Sequence, residues 1–252
     1  MRSIIGTLPG LPPTPFNSPP LLRLLAEWHA EEAPAVAPAA AEPRGTQAER
    51  LGQWLDWTDA IALSAVLNSA SPGGKPDGNP NGKPPGAAQA TTAAAAQTAA
   101  MAHAMVQVRS ELARSIRSGA VFAADDADGS GADFAPWRRA CQARQRAMVA
   151  AISPLRAQLR AALAATSPAL AQLAALDATL DAALGERERH LLQAVPQRLE
   201  QHFQRLRLAQ QPGWLAVFKH AMQAALLAEL DLRLQPAQAL LDALVQPSGQ
   251  AL

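Results

Sequence analysis

The sharpest chemical pattern in the chain is Asp126-Ala-Asp128-Gly-Ser130-Gly131, which carries the first ligand positions of an EF-hand-type calcium loop. Calcium takes about six to eight oxygen ligands, and the last loop position normally supplies two of them from a glutamate. That position here is Trp137, which has no ligating atom, and Phe134 occupies another ligand position. The segment therefore reads as a polar turn whose Asp133 caps the following helix. His29, His103, His190, His202 and His220 contain no His-x-x-x-His pair and no Glu-x-x-His. The usual zinc and di-iron helix motifs are missing, so no metal ligand and no cofactor is assigned. Glu186 and His190 share a helix face, a pairing that is ordinary in a charged helix. Cys141 is the single cysteine. It falls on an apolar stripe between Trp137 and Met148 and reads as a buried, inert thiol. Arg138, Arg139 and Arg144 would activate it only if they turned toward it. No phosphate-loop, dinucleotide-loop or serine-elbow motif occurs, and an enzyme is not expected.

Two further groups carry binding chemistry. Residues 134–164 hold Arg138, Arg139, Arg144, Arg146, Arg156 and Arg160 and no acidic residue. Such a helix can contact phosphates, as in a nucleic-acid-associated protein. The preferred reading is a solvated face that pairs with Asp177, Asp181, Glu186, Glu188 or Glu200 across a helical hairpin. Trp54, Asp56, Trp57 and Asp59 form a dense cluster. It reads first as a core anchor and second as a partner-binding patch of Trp54, Trp57 and Asp59, because Trp is enriched where interfaces concentrate their energy.

The elements that must position these groups are helical. The chain has 252 residues and is 49% hydrophobic but only 4% aromatic, with no Tyr. Alanine and leucine supply most of the apolar share, which suits long helices in thin layers. No stretch alternates apolar and polar residues with β-branched enrichment. The net charge of +1 selects neither nucleic acid nor an acidic membrane. All basic residues but Lys75, Lys83 and Lys219 are arginine, as codon bias in a GC-rich bacterial genome would produce. One cysteine, no signal peptide and no apolar span fit a bacterial cytoplasmic protein with no direct membrane insertion.

Along the chain, residues 1–45 read as a Pro/Ala-rich, largely disordered segment. It holds one short helix through Leu21, Leu22, Leu25 and Trp28. Residues 46–70 are a Trp-rich amphipathic helix opened by the capping box Thr46-x-x-Glu49. Its inward stripe is Leu51, Trp54, Leu55, Thr58, Ile61, Ala62, Ala65 and Val66. Residues 71–87 are a flexible Gly/Pro linker. Residues 88–252 form a helical domain. Its first helix runs over 88–118, with Gly119 as a stop. A stripe of Phe134, Trp137, Cys141, Met148, Ile152, Leu155, Leu159 and Leu163 recurs at helical spacing. A second runs Leu170, Leu173, Leu176, Leu180, Leu184, Leu191, Val195, Leu199, Phe203 and Leu206, with a kink at Pro196. Ser153-Pro154 either kinks the first of these helices or begins a new one. The helices over 134–166 and 168–210 would be roughly 50 and 60 Å long, and a link of few residues makes them an antiparallel hairpin. A last helix spans Trp214 to about Leu234, and Pro236 separates a short terminal helix. The expected fold is all-α, an elongated helical hairpin or bundle, with coiled-coil-like faces that need the N-terminal helices or a second chain.

The stretch from Ala48 to Leu67, centred on Trp54-Leu-Asp-Trp57-Thr-Asp-Ala-Ile61, resembles the hallmark of a proteobacterial family catalogued as domain of unknown function three-three-four-eight. Asp133-Phe-Ala-Pro-Trp137 and Gln145-Arg-Ala-Met148 are similar to that family as well. The resemblance implies a bacterial cytoplasmic protein with no established activity and no transferable catalytic residue. It also suggests an accessory to an envelope-associated assembly. The expected function is a non-enzymatic helical interaction or scaffold protein that binds protein partners or itself. The alternative is nucleic-acid association through the arginine-rich face.

Overall fold

Apolar residues recurring once per turn produce helices throughout the computed structural model, which describes residues 20–30, 57–68, 87–123 and 133–246. The fold is all-α, and no strand occurs among the described residues. The helices are α1 (Pro20–Ala30), α2 (Trp57–Asn68), α3 (Ala87–Arg117), α4 (Ala120–Ala123), α5 (Ala135–Thr166), α6 (Pro168–Leu192), α7 (Val195–Ala209) and α8 (Trp214–Val245). The segments read as linkers, the capping box, Trp54, and the Asp126–Gly131 loop lie outside the described residues.

α5 and α8 form the centre, and α3, α6 and α7 pack around them. α5 and α6 make the expected hairpin. Its tip is only Ser167, whose hydroxyl caps α6 by accepting from Leu170 N at 3.3 Å while Pro168 takes the first helical position. At the other end of α5, Asp133 Oδ1 accepts from Ala135 N at 3.0 Å. The second arm does not run unbroken to 210. Gln193 and Ala194 form a turn between α6 and α7. Pro196 lacks the N–H that a continuous helix would donate to Leu192 O, and that carbonyl accepts from Gln145 Nε2 at 2.9 Å instead.

Proline behaves differently at two other sites. Pro154 lies inside α5 on an exposed position, so the carbonyl it leaves without a helical donor is on the solvent side of the helix. Pro236 does not end α8 as expected, and the helix continues to Val245. Burial of Ala237, Leu240 and Leu241 continues the stripe of Leu230 and Leu234, and that packing outweighs the missing hydrogen bond. Gly119 does follow the end of α3, but without the positive φ of a left-handed cap. A Cβ there would come within 2.6 Å of Arg144 Nη2.

Packing quality differs between the two ends. Near the N-termini of α5 and α8, Phe134, Trp137, Phe203 and Phe218 are at most 2% exposed. Trp137 meets Phe218 edge-on at 5.3 Å and 88°, and Phe203 meets Phe218 at 4.9 Å and 80°. These are the edge-to-face geometries that ring quadrupoles favour. Trp28 of α1 closes the cluster by stacking on His202 at 4.7 Å. Toward the hairpin tip the apolar residues are smaller and less covered. Ala174 and Leu192 are the buried residues of α6, so Leu170, Leu173, Leu176, Leu180 and Leu184 are half-buried only. Leu191, expected inward, is 56% exposed because the helix ends by turning Leu192 in.

Candidate functional site

α5 offers Arg156 and Arg160, one helical turn apart, to Asp177 and Asp181, one turn apart on α6. That spacing places each pair on a single helix face. Arg156 Nη2 is 2.6 Å from Asp177 Oδ1, and its Nη1 is 2.7 Å from Asp181 Oδ1. Arg160 reaches the same two carboxylates at 2.6 and 2.8 Å. Burial would push the Asp177 carboxyl up, but the hydrogen bonds and charges of both arginines outweigh it and hold the group below the ordinary carboxylate range. The quartet locks the hairpin in register.

The remaining arginines of α5 diverge. Arg138 pairs with Glu200 of α7. Arg144 Nε donates to Ser115 O at 3.0 Å, placing a cation on the last turn of α3, where the helix dipole favours it. Arg139 and Arg146 are exposed and have no ionic partner among the described residues. The six arginines therefore do not form one phosphate-facing strip: four are engaged within the fold.

A buried acid lies where α5, α8 and the end of α6 meet. Glu229 of α8 is 0% exposed. Arg233 bonds its Oε1 through Nε at 2.9 Å and Nη2 at 2.8 Å. Gln145 Nε2 reaches its Oε2 at 3.0 Å and bridges it to Leu192 O. Desolvation pushes the Glu229 carboxyl up, and the charge of Arg233 with the bonds from Gln145 and Arg233 offsets this only in part. The acid thus ties α5, the end of α6 and α8 together.

Above this network lies a trough of two adjoining clefts. The larger, about 700 Å³, runs between α5, α8 and the α6–α7 turn and is lined by Gln142, Gln145, Arg146, Arg189, Gln193 and Arg233, among others. The smaller, about 380 Å³, continues along α6 past Asp181 and Glu188. Val149, Arg189 and Arg233 border both.

The other residues singled out by sequence fall elsewhere. Cys141 is 0% exposed, and burial first, then the negative charge of Glu229, pushes its thiol up to about 12. It is protonated and shielded at neutral pH. A thiol reagent is accordingly expected to label Cys141 only at the rate at which the protein opens, and rapid labelling of the native chain would contradict this burial. Asp59 lies half-buried in α2, Trp57 opens that helix, and Trp54 lies outside the described residues. No group of three His, Cys, Asp or Glu side chains placed to hold a metal ion occurs among the described residues.

Residues 10–246 match the family model described as Protein of unknown function (DUF3348). The chain belongs to this family. No curated protein and no solved structure matches it. The match spans the Trp-rich segment, the arginine-rich helix and the Glu229 network alike. The sequence of this DUF3348 member pointed to the arginines and their aspartates, and to Gln145 only as part of a family-like motif, whereas Glu229 and Arg233 went unnoticed. A signal was available. Glu229 stands one turn beyond Leu226 and two beyond Met222, so the inward stripe of α8 carries an acid. An acid on an inward stripe needs a partner.

Proposed function

We propose that the protein is a non-enzymatic helical scaffold that associates with a second copy of itself through the outer layer formed by α2 and α6. The observation that carries this reading is the incomplete cover of α2. Apolar residues occur on every side of the helix, with Asp59 its one charged residue, and helices without a distinct polar face are ordinarily buried all round. α2 packs on α6, where Gln172 Nε2 donates to Val66 O at 3.2 Å near its C-terminus. Leu63 and Val66 are half-buried, while Ile61 and Leu67 are 54% and 57% exposed. The expected stripe through Ile61, Ala62 and Ala65 thus faces away from the hairpin. Periodicity selects no single face here, because Thr58, Asp59, Ser64 and Asn68 are spread around the helix. A like face on a second copy is uncharged and complementary, as a two-fold interface requires.

Light scattering behind size exclusion tests this on the full chain. The expected mass is a multiple of 26.4 kDa, shifting toward the monomer in an Ile61→Asp/Leu67→Asp variant with unchanged helical content. A wild-type chain that stays monomeric at every concentration overturns the reading. An envelope-associated assembly is the setting that the family resemblance suggests for such a scaffold. The nucleic-acid alternative has less support, since Arg138, Arg144, Arg156 and Arg160 are engaged within the fold. No helix among the described residues is long and apolar enough to cross a membrane.

A further inference from the structure

We infer that the larger cleft between α5, α8 and the α6–α7 turn is a binding site for a small organic polyanion, one bearing phosphate or carboxylate groups. Arg146, Arg189 and Arg233 reach it from three different helices, and no acidic residue lines it. Among the described residues, Arg146 has no ionic partner and Arg189 donates only its Nε, to Gly185 O at 3.1 Å. Both therefore offer guanidinium N–H groups to a ligand. Arg233 is a fixed part of the floor. Its Nε and Nη2 are held by Glu229, which leaves Nη1 for an anion, and Glu229 is itself anchored by Gln145. Guanidinium groups are planar donors matched to the oxygens of phosphate and carboxylate.

The form of the cleft narrows the ligand further. Its volume of about 700 Å³ suits a small molecule. Val149, Ala150 and Pro196 add an apolar wall, so an organic portion has something to rest on. The adjoining cleft carries acidic side chains, Asp181 and Glu188, among its arginines, whereas the larger cleft has arginines alone as its charged lining, which favours the side of the α6–α7 turn for the charged end of the ligand. The unpaired positive charge is gathered in one concavity instead of running along a helix, as a nucleic-acid strand would need. The site is built from one chain, and none of its residues lies on α2, the helix whose exposed face carries the self-association reading.

Isothermal titration of the full chain at low ionic strength, with pyrophosphate in one arm and citrate in the other, tests the inference. Saturable binding at one site per chain is expected. It should weaken about tenfold in Arg146→Gln and again in Arg189→Gln, as the loss of one charge-assisted bond each implies. Arg139→Gln, an exposed change outside the cleft, should bind like wild type. All three positions are exposed, and circular dichroism will confirm that the variants fold. Tighter pyrophosphate identifies phosphate as the natural group, and tighter citrate identifies carboxylate. The inference fails if neither anion binds at millimolar concentration. It also fails if Arg139→Gln weakens binding as much as the cleft variants do, or if an Arg146→Gln/Arg189→Gln double variant binds unchanged. A single-stranded oligonucleotide that binds where neither anion does would assign the arginines to nucleic acid and overturn it as well.

Discussion

Trp137→Ala is expected to lower the unfolding free energy by about 3–5 kcal/mol, the range for removing a large aromatic side chain from a packed core. Trp137 is 0% exposed, and it contacts Phe218 edge-on and Phe122 at a tilt. It therefore loses burial, ring–ring attraction and the support of three helices at once. The neighbours are themselves rings locked against one another, so they cannot collapse into the cavity. Native stabilities are about 5–15 kcal/mol, and a loss of this size consumes a large part of the margin. Urea titration should show a much lower midpoint with an unchanged slope. Trp137→Phe should retain much of the lost stability. A midpoint near wild type in the alanine variant would mean that this end of the bundle does not hold the fold together.

Glu229→Ala should cost about as much for an electrostatic reason. Removing one partner of a buried ion pair leaves the other charge desolvated, typically about 3–5 kcal/mol. The group stranded here is Arg233, whose side chain is 10% exposed. Glu229→Met combined with Arg233→Met should recover most of that loss, because the pair is then replaced by apolar volume and no charge remains buried. The same acid gives the protein a distinctive pH dependence. Burial raises the carboxyl above its ordinary value in the folded state, so the folded chain keeps its proton to a higher pH than the unfolded chain does. Between the unfolded value, about 4.3, and the raised folded value, the folded state binds more protons, and stability falls as pH rises. Glu229→Gln should remove that fall. Asp177 has the opposite sign, since its folded value is lowered; the difference profile between wild type and Glu229→Gln isolates the Glu229 contribution. A variant profile parallel to wild type through this window would show that Glu229 does not titrate as described.

Both predictions rest on residues that differ in how visible they are in the sequence. Trp137, Phe203 and Phe218 recur once per turn among leucines, and such spacing has one reading. The hairpin is legible for the same reason: Ser167-Pro168 caps one helix and starts the next within a single residue. Arg156, Arg160, Asp177 and Asp181 are legible as well, because an antiparallel pair joined by so short a link must bring one-turn-spaced charges together. α2 is a different case. It has apolar residues on every side, and only contact with α6 decides that Leu63 and Val66 face inward and Ile61 outward. Pro236 shows the same limit, since its local preference to end a helix yields to the burial of Ala237, Leu240 and Leu241 beyond it.

The trough is the feature furthest from the sequence. Arg146, Arg189 and Arg233 are separated by more than forty positions at each step, and no local rule links them. Periodic burial of leucine, alanine and aromatic residues determined by itself that the chain is helical, where its long helices lie and that two of them form a hairpin, because those outcomes depend on neighbours one turn away. The tertiary structure alone decided that Glu229 is buried against Arg233, that Cys141 is sealed, and that three arginines share one concavity. Each of those facts depends on which faces of distant helices meet, and the free energy that selects those faces comes from packing between helices that no single segment encodes.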